Sequence, residues 1–119
     1  MATGLENLRI YKLAVRLEKF VHRVVNEKFP ADEKYRSADQ LKRSSSSVAD
    51  NIAESYGRYH FKDKRRCIYI ARGEAEETKS GLKRAEIKGF ISQEISEFSC
   101  EKYSELLRGM NSYIRFLGK

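Results

Sequence analysis

Tryptophan is absent from this 119-residue chain, proline occurs once, at Pro30, and there are only seven glycines and two cysteines. Each scarcity excludes something. One proline and few glycines cannot supply the many tight turns of an all-β fold, so long uninterrupted helices are favoured. No apolar run approaches the roughly 20 residues that a membrane span needs. The opening "MATGLENLRIYKLAVRLEKF" has no uncharged stretch of signal-peptide length. Cys67 and Cys100 stand alone, without CxxC spacing. They read as reduced, buried or half-buried thiols of a cytoplasmic protein rather than a disulfide or a metal centre. His22 and His60 lie far apart, with no paired ligand at metal-binding spacing. Gly73 and Gly81 interrupt a helical pattern instead of following a strand, so they read as points of close helix contact, not a phosphate loop. No metal, cofactor or membrane contact is expected.

What is present is a modest core and an excess of positive charge. Apolar residues make up 40% of the chain, enough for one domain spanning residues 1–119. The 24 Lys and Arg outnumber the 17 Asp and Glu, leaving a formal charge of +7. That balance favours an anionic partner, nucleic acid first.

Four helical segments emerge, at roughly 7–27, 37–59, 63–88 and 92–117. In the first, Ile10, Leu13, Ala14, Leu17, Phe20, Val21 and Val24 fall on one face, and Pro30 ends the region. The second contains "KRSSSSVADNIAESYGR". Its stripe of Leu41, Ser45, Val48, Ile52, Ser55 and Tyr59, with Tyr56 beside it, runs straight through the serines. They are therefore expected to sit inside a closely packed helix, their hydroxyls returned to the preceding turn; the other reading is a phosphorylated or disordered tract. The third has Asp63 as its expected N-cap, a stripe of Ile68, Ala71, Ala75, Thr78, Leu82 and Ala85, and Gly89 as its stop. The fourth starts at Ser92 and buries Ile95, Phe98, Leu106, Met110, Tyr113 and Leu117. Short connections make neighbours antiparallel, which gives an all-α, up-down-up-down four-helix bundle. Residues 1–6 and the last two or three are expected to fray.

Three polar features invite a functional reading. If the second and third helices turn near residues 61–63, Glu54 lies level with Arg72, and Asn51 is nearby. The three form an expected structural polar group that fixes register, since Glu54 lacks the second carboxylate, His or nucleophile that catalysis needs. No enzymatic site is expected. Arg9, Lys12, Arg16, Lys19 and Arg23 form a basic stripe on the first helix. Like charges at this spacing repel. The stripe is paired, within the bundle with Glu94, Glu97, Glu101 and Glu105 of the fourth helix, through contacts such as Arg23–Glu94 and Lys12–Glu105, or between subunits; or it is free for nucleic acid; or it is a solvated face. Finally, Arg58, Lys62, Lys64, Arg65 and Arg66 cluster at the hairpin tip among Tyr56, Tyr59, His60 and Phe61. Cations can neutralise phosphates and exposed rings can stack on unpaired bases. The other reading is a solvated turn whose rings cap the core.

The segments "ENLRIYKLAVRL" and "EKFPADEKYRSADQLKRSSSSVADNIAESYGR" carry a wider pattern, with Gln40, Arg43, Val48, Asn51, Ile52, Ala53, Glu54, Gly57 and Arg58 in place. "IARGEAEET" extends it through Ala71, Arg72, Gly73, Ala75, Glu77 and Thr78. Together they resemble the four-helix-bundle proteins encoded in intervening sequences of bacterial 23S ribosomal RNA genes, a family similar to the accessory protein of diversity-generating retroelements. The chain departs from the pattern at Ser37, Ser44, Ser45 and Ser46, where apolar or alanine residues are usual. It departs again at Glu74, in place of serine, and at Asp50, where proline is common. The resemblance implies a helical bundle, a homopentamer with a basic surface, and, for the retroelement relatives, binding of nucleic acid and a reverse transcriptase. The combined expectation is a non-enzymatic oligomeric basic scaffold that binds RNA or DNA. The alternative is a protein-interaction scaffold for an acidic partner.

Overall fold

Ile10, Ala14, Leu17, Val21, Val24 and Val25 recur at helical spacing, and all are buried along one side of α1 (Arg9–Lys28). Leu13 and Phe20 flank this stripe, half-buried. The computed structural model describes residues 4, 5 and 8–118; most of the segments expected to fray lie outside them. Pro30 follows the end of α1 and opens a single 3-10 turn, Ala31–Glu33, before α2 (Ser37–Gly57), α3 (Phe61–Ile87) and α4 (Gln93–Leu117). The helices run up, down, up, down in a body of 44 × 24 × 23 Å. Among neighbouring helices, contact is most extensive between α2 and α3 and least between α1 and α4. No described helix is long and apolar enough to cross a membrane.

The four consecutive serines are helical and serve different neighbours. The Ser44 and Thr78 hydroxyls meet at 2.8 Å across the α2–α3 seam, and Thr78 donates to the Glu74 carbonyl. Ser45 is fully buried and returns its hydroxyl to the Lys42 carbonyl. Ser46 turns to α1 and donates to Glu18 at 2.9 Å, and Ser47 accepts from the Asn51 amide. Small side chains let the backbones approach. A Cβ placed on Gly81 would come 2.8 Å from Leu41 Cδ2. Gly73 differs from expectation, because nothing lies within 4 Å of its Cβ position and it is no contact point.

Helix ends follow local chemistry in some places and tertiary demands in others. Gly89, at φ +81°, completes a paired cap on α3, its own N–H donating to the Glu86 carbonyl and that of Phe90 to Ala85. Ser92 accepts from the Ile95 N–H at the start of α4. Asp63 is not the cap of α3, which begins two residues earlier with His60 in the cap position. Two residues expected in the core are not there. Tyr59 falls beyond the end of α2 and is 87% exposed, and Phe98 is half-exposed against the Phe20 ring. The core of α4 instead takes Ser96, Ser99, Cys100 and Tyr103. Both cysteines are free and buried.

Candidate nucleic-acid interface

The α2–α3 connection is short, Arg58 to His60, and its register decides which polar groups meet. The Ser55 hydroxyl donates to the Lys64 carbonyl at 2.8 Å, and Ser44 meets Thr78. The hairpin therefore turns near His60, not at 61–63. Glu54 lies about one helical turn away from the level of Arg72. The expected Glu54–Arg72–Asn51 group is not formed. Glu54 pairs with Arg58 on its own helix, Asn51 donates to the Ser47 carbonyl at 2.9 Å, and Arg72 stands exposed.

The same turn divides the five tip cations by role. The Lys64 ammonium donates to the Ser55 and Tyr56 carbonyls at 3.3 and 2.9 Å. The Arg65 guanidinium donates to the Leu117 carbonyl at 2.8 Å. These are last-turn carbonyls of α2 and α4, where the intrahelical ladder runs out; the Ser55 carbonyl also accepts from the Arg58 N–H at 3.3 Å. Cations there also offset the negative ends of the two helix dipoles. Arg58, held by Glu54, stays protonated more firmly than usual because of that hydrogen bond. Two tip cations remain. Lys62 has no partner among the described residues, and Arg66 has only Asp63, at 3.9 Å on the solvent side. Part of the positive charge in "GRYHFKDKRR" thus serves the fold, and Lys62 and Arg66 face outward.

The basic stripe of α1 is exposed throughout. Its alignment with α4 is as expected, since Phe20 packs on Phe98 and a Cβ on Gly109 would touch Ile10. The salt bridges do not form. Among the described residues Glu105 pairs with Lys102, Glu101 lies 3.8 Å from Arg108, and Glu97 accepts from Gln93, all within α4. The physical reason is the seam itself. Apolar Leu13, Leu106 and the Phe20–Phe98 pair separate α1 from α4, and the charged rows stand on outward faces. Near the N-terminus of α1 the seam opens into a groove of about 560 Å³, lined by Ile10, Leu13 and Leu106, with Arg9, Lys12 and Arg16 on one side and Glu105 on the other.

Three-dimensional placement unites features that are remote in sequence. Glu18 and His22 meet Ser46, and Asn26 meets Lys42, so α1 runs antiparallel to α2. Arg9, Lys12 and Arg16 therefore lie at the same end of the bundle as Lys62 and Arg66. Lys19 and Arg23 lie farther along. Exposed rings share this end: Tyr59, Phe61 at 50%, Tyr69 at 52% and Phe116 at 64%. Tyr69 and Ile70 escaped the sequence reading. Their signal was available, as apolar residues off the buried Ile68–Ala71–Ala75 stripe.

Elsewhere, two carboxylates are perturbed. Glu33 accepts from the Ser37 hydroxyl at 2.5 Å, and that bond holds its carboxyl below the usual range. Burial, then the adjacent Glu77 carboxylate, raises Glu74, with Arg43 opposing.

These features define a class: an antiparallel four-helix bundle whose cations and exposed rings gather at one end. Within that class, the chain belongs to the 23S rRNA-intervening sequence protein family, whose family model matches residues 6–112. The crystal structure of a protein of unknown function from the S23 ribosomal protein family of Bacteroides thetaiotaomicron VPI-5482 is similar, with a TM-score of 0.82 at 20% identity. The match covers 88% of this chain and 97% of that one, and at this identity it shows the fold alone. No curated protein matches the chain.

Proposed function

We propose that this chain is a non-enzymatic, cytoplasmic scaffold that binds nucleic acid, RNA or DNA, through its basic end, as a homo-oligomer. One observation carries the reading. Cations on the outer faces of α1 and α3, from separate parts of the sequence and without partners among the described residues save Arg66 with Asp63, share one end of the bundle with exposed aromatic rings. Phosphate neutralisation supplies most of the affinity at such a surface and little base specificity. A homopentamer, which the family resemblance implies, would repeat the end and multiply weak contacts.

The test is fluorescence-anisotropy binding of nuclease-treated protein to labelled RNA and DNA across a salt series. Affinity is expected to fall steeply with salt. Lys62→Glu with Arg66→Glu should weaken binding and make the salt slope shallower by about two contacts, with helicity intact. Absence of binding at low salt refutes the proposal. A second reading, docking of an acidic protein partner, is favoured by the apolar lining of the α1–α4 groove beside Arg9, Lys12 and Arg16. It would appear as a nuclease-resistant complex with one protein.

A further inference from the structure

The outer side of the first turns of α3 carries groups that the bundle does not use. Lys62, Arg66 and Tyr69 follow at steps of four and three, and Ile70 lies four beyond Arg66, so they share a face. The buried residues Cys67, Ile68, Ala71 and Ala75 occupy the other side of the helix. Tyr69 and Ile70 are 52% and 43% exposed. Neither Tyr69 nor Lys62 has a hydrogen bond, ion pair or ring contact among the described residues. With Arg65 these residues line an open groove of about 460 Å³. The Arg65 guanidinium is held at the Leu117 carbonyl, so Arg65 contributes its stem to the wall. Beyond Tyr69 the surface stays open, because a Cβ on Gly73 would meet nothing within 4 Å.

We infer that this face seats an unpaired strand of nucleic acid, with a base stacked on the Tyr69 ring beside Ile70 and the flanking phosphates on Lys62 and Arg66. The inference rests on the nucleic-acid reading above and narrows it to single strands. The two cations are one helical turn apart, about 6 Å along the axis, with the ring on the next turn. Charge complementarity selects an anion. The apolar groove selects an anion that also presents a flat, poorly hydrated face. A duplex does not present one, since its bases cover one another, and freeing a base costs unstacking energy. An unpaired strand offers base faces and phosphates together. Tyr59 and Phe61, exposed just before this stripe, extend the row of rings toward the turn.

The chain has no tryptophan, so Tyr69→Trp supplies a single indole at the proposed stacking position. Three probes are compared at low salt: an unstructured oligothymidylate of about 12 nucleotides, within the site sizes of single-strand binders, an abasic strand of equal length, and the matching duplex. The oligothymidylate is expected to quench the indole and to bind more tightly than either other probe. Tyr69→Ala should weaken its binding roughly tenfold, within the range of one base–ring stack, and leave abasic-strand affinity unchanged. Equal binding of all three probes, with Tyr69→Ala indistinguishable from the wild type, overturns the inference while the broader nucleic-acid reading stands. No binding of any probe overturns both. Circular dichroism of the variants should match the wild type, because Tyr69 is outside the core.

Discussion

Replacing Arg65 with alanine tests whether the basic tip is a binding feature throughout or partly a structural one. The guanidinium donates to the Leu117 carbonyl at 2.8 Å and ties the start of α3 to the end of α4. A hydrogen bond involving a charged group contributes about 1.5–3 kcal/mol, and the side chain here is half-buried, which favours the lower part of that range. Its aliphatic stem also covers apolar surface. Arg65→Ala should therefore cost about 1.5–2 kcal/mol. In a chain of this size that corresponds to a melting temperature lower by about 5–8 °C. Lys62→Ala, three residues away and without a partner, should change stability by less than about 0.5 kcal/mol. The assay is urea and thermal unfolding followed by circular dichroism at one protein concentration, since assembly would make stability depend on it. The binding assay should give the opposite order, with Lys62→Ala weakening affinity at unchanged stability. Arg65→Ala with wild-type stability and the same loss of affinity as Lys62→Ala would refute the division of roles.

The two perturbed carboxylates give opposite pH signatures. The depressed Glu33 carboxyl contributes stability above its ordinary pKa, and the contribution disappears as pH falls through the folded value. Glu33→Gln should lower the melting temperature at pH 7, and the difference should close in acid. The raised Glu74 carboxyl is a burden when ionised. Glu74→Gln should raise the melting temperature at pH 7, with the gain vanishing once pH falls below the ordinary carboxylate range; a gain persisting in acid would count against the cause given. The helical glycines also separate. Gly73→Ala should stabilise by about 0.5–1 kcal/mol through helix propensity alone, whereas Gly81→Val should destabilise by about 1–3 kcal/mol through overpacking against Leu41, both read by urea unfolding.

Much of the fold is legible in single residues and short patterns. The stripes of α1 and α3, the serine run as helix, Gly89 as a stop and the start of α4 at Ser92 all depend on local periodicity and capping chemistry, which act within a few residues. Tyr59 and Phe98 were misplaced for a related reason. Periodicity gives the direction of a side chain, but neither where the helix ends nor how far its neighbour reaches.

The candidate site was only half legible. Composition and spacing alone determined that the chain is helical, basic, and provided with two cationic features and a ring-rich turn. The tertiary structure alone decided that Glu54 is not level with Arg72, because packing of Ser44 on Thr78, of Leu41 on Gly81 and of Ser55 on Lys64 sets which residues are level. It also decided that Lys64 and Arg65 serve terminal carbonyls while Lys62 and Arg66 face solvent, and that Arg9, Lys12 and Arg16 share their end of the bundle. A charge written in the sequence has a sign but no partner. Partners are assigned when helices remote in the chain dock, by long-range packing that no local pattern encodes.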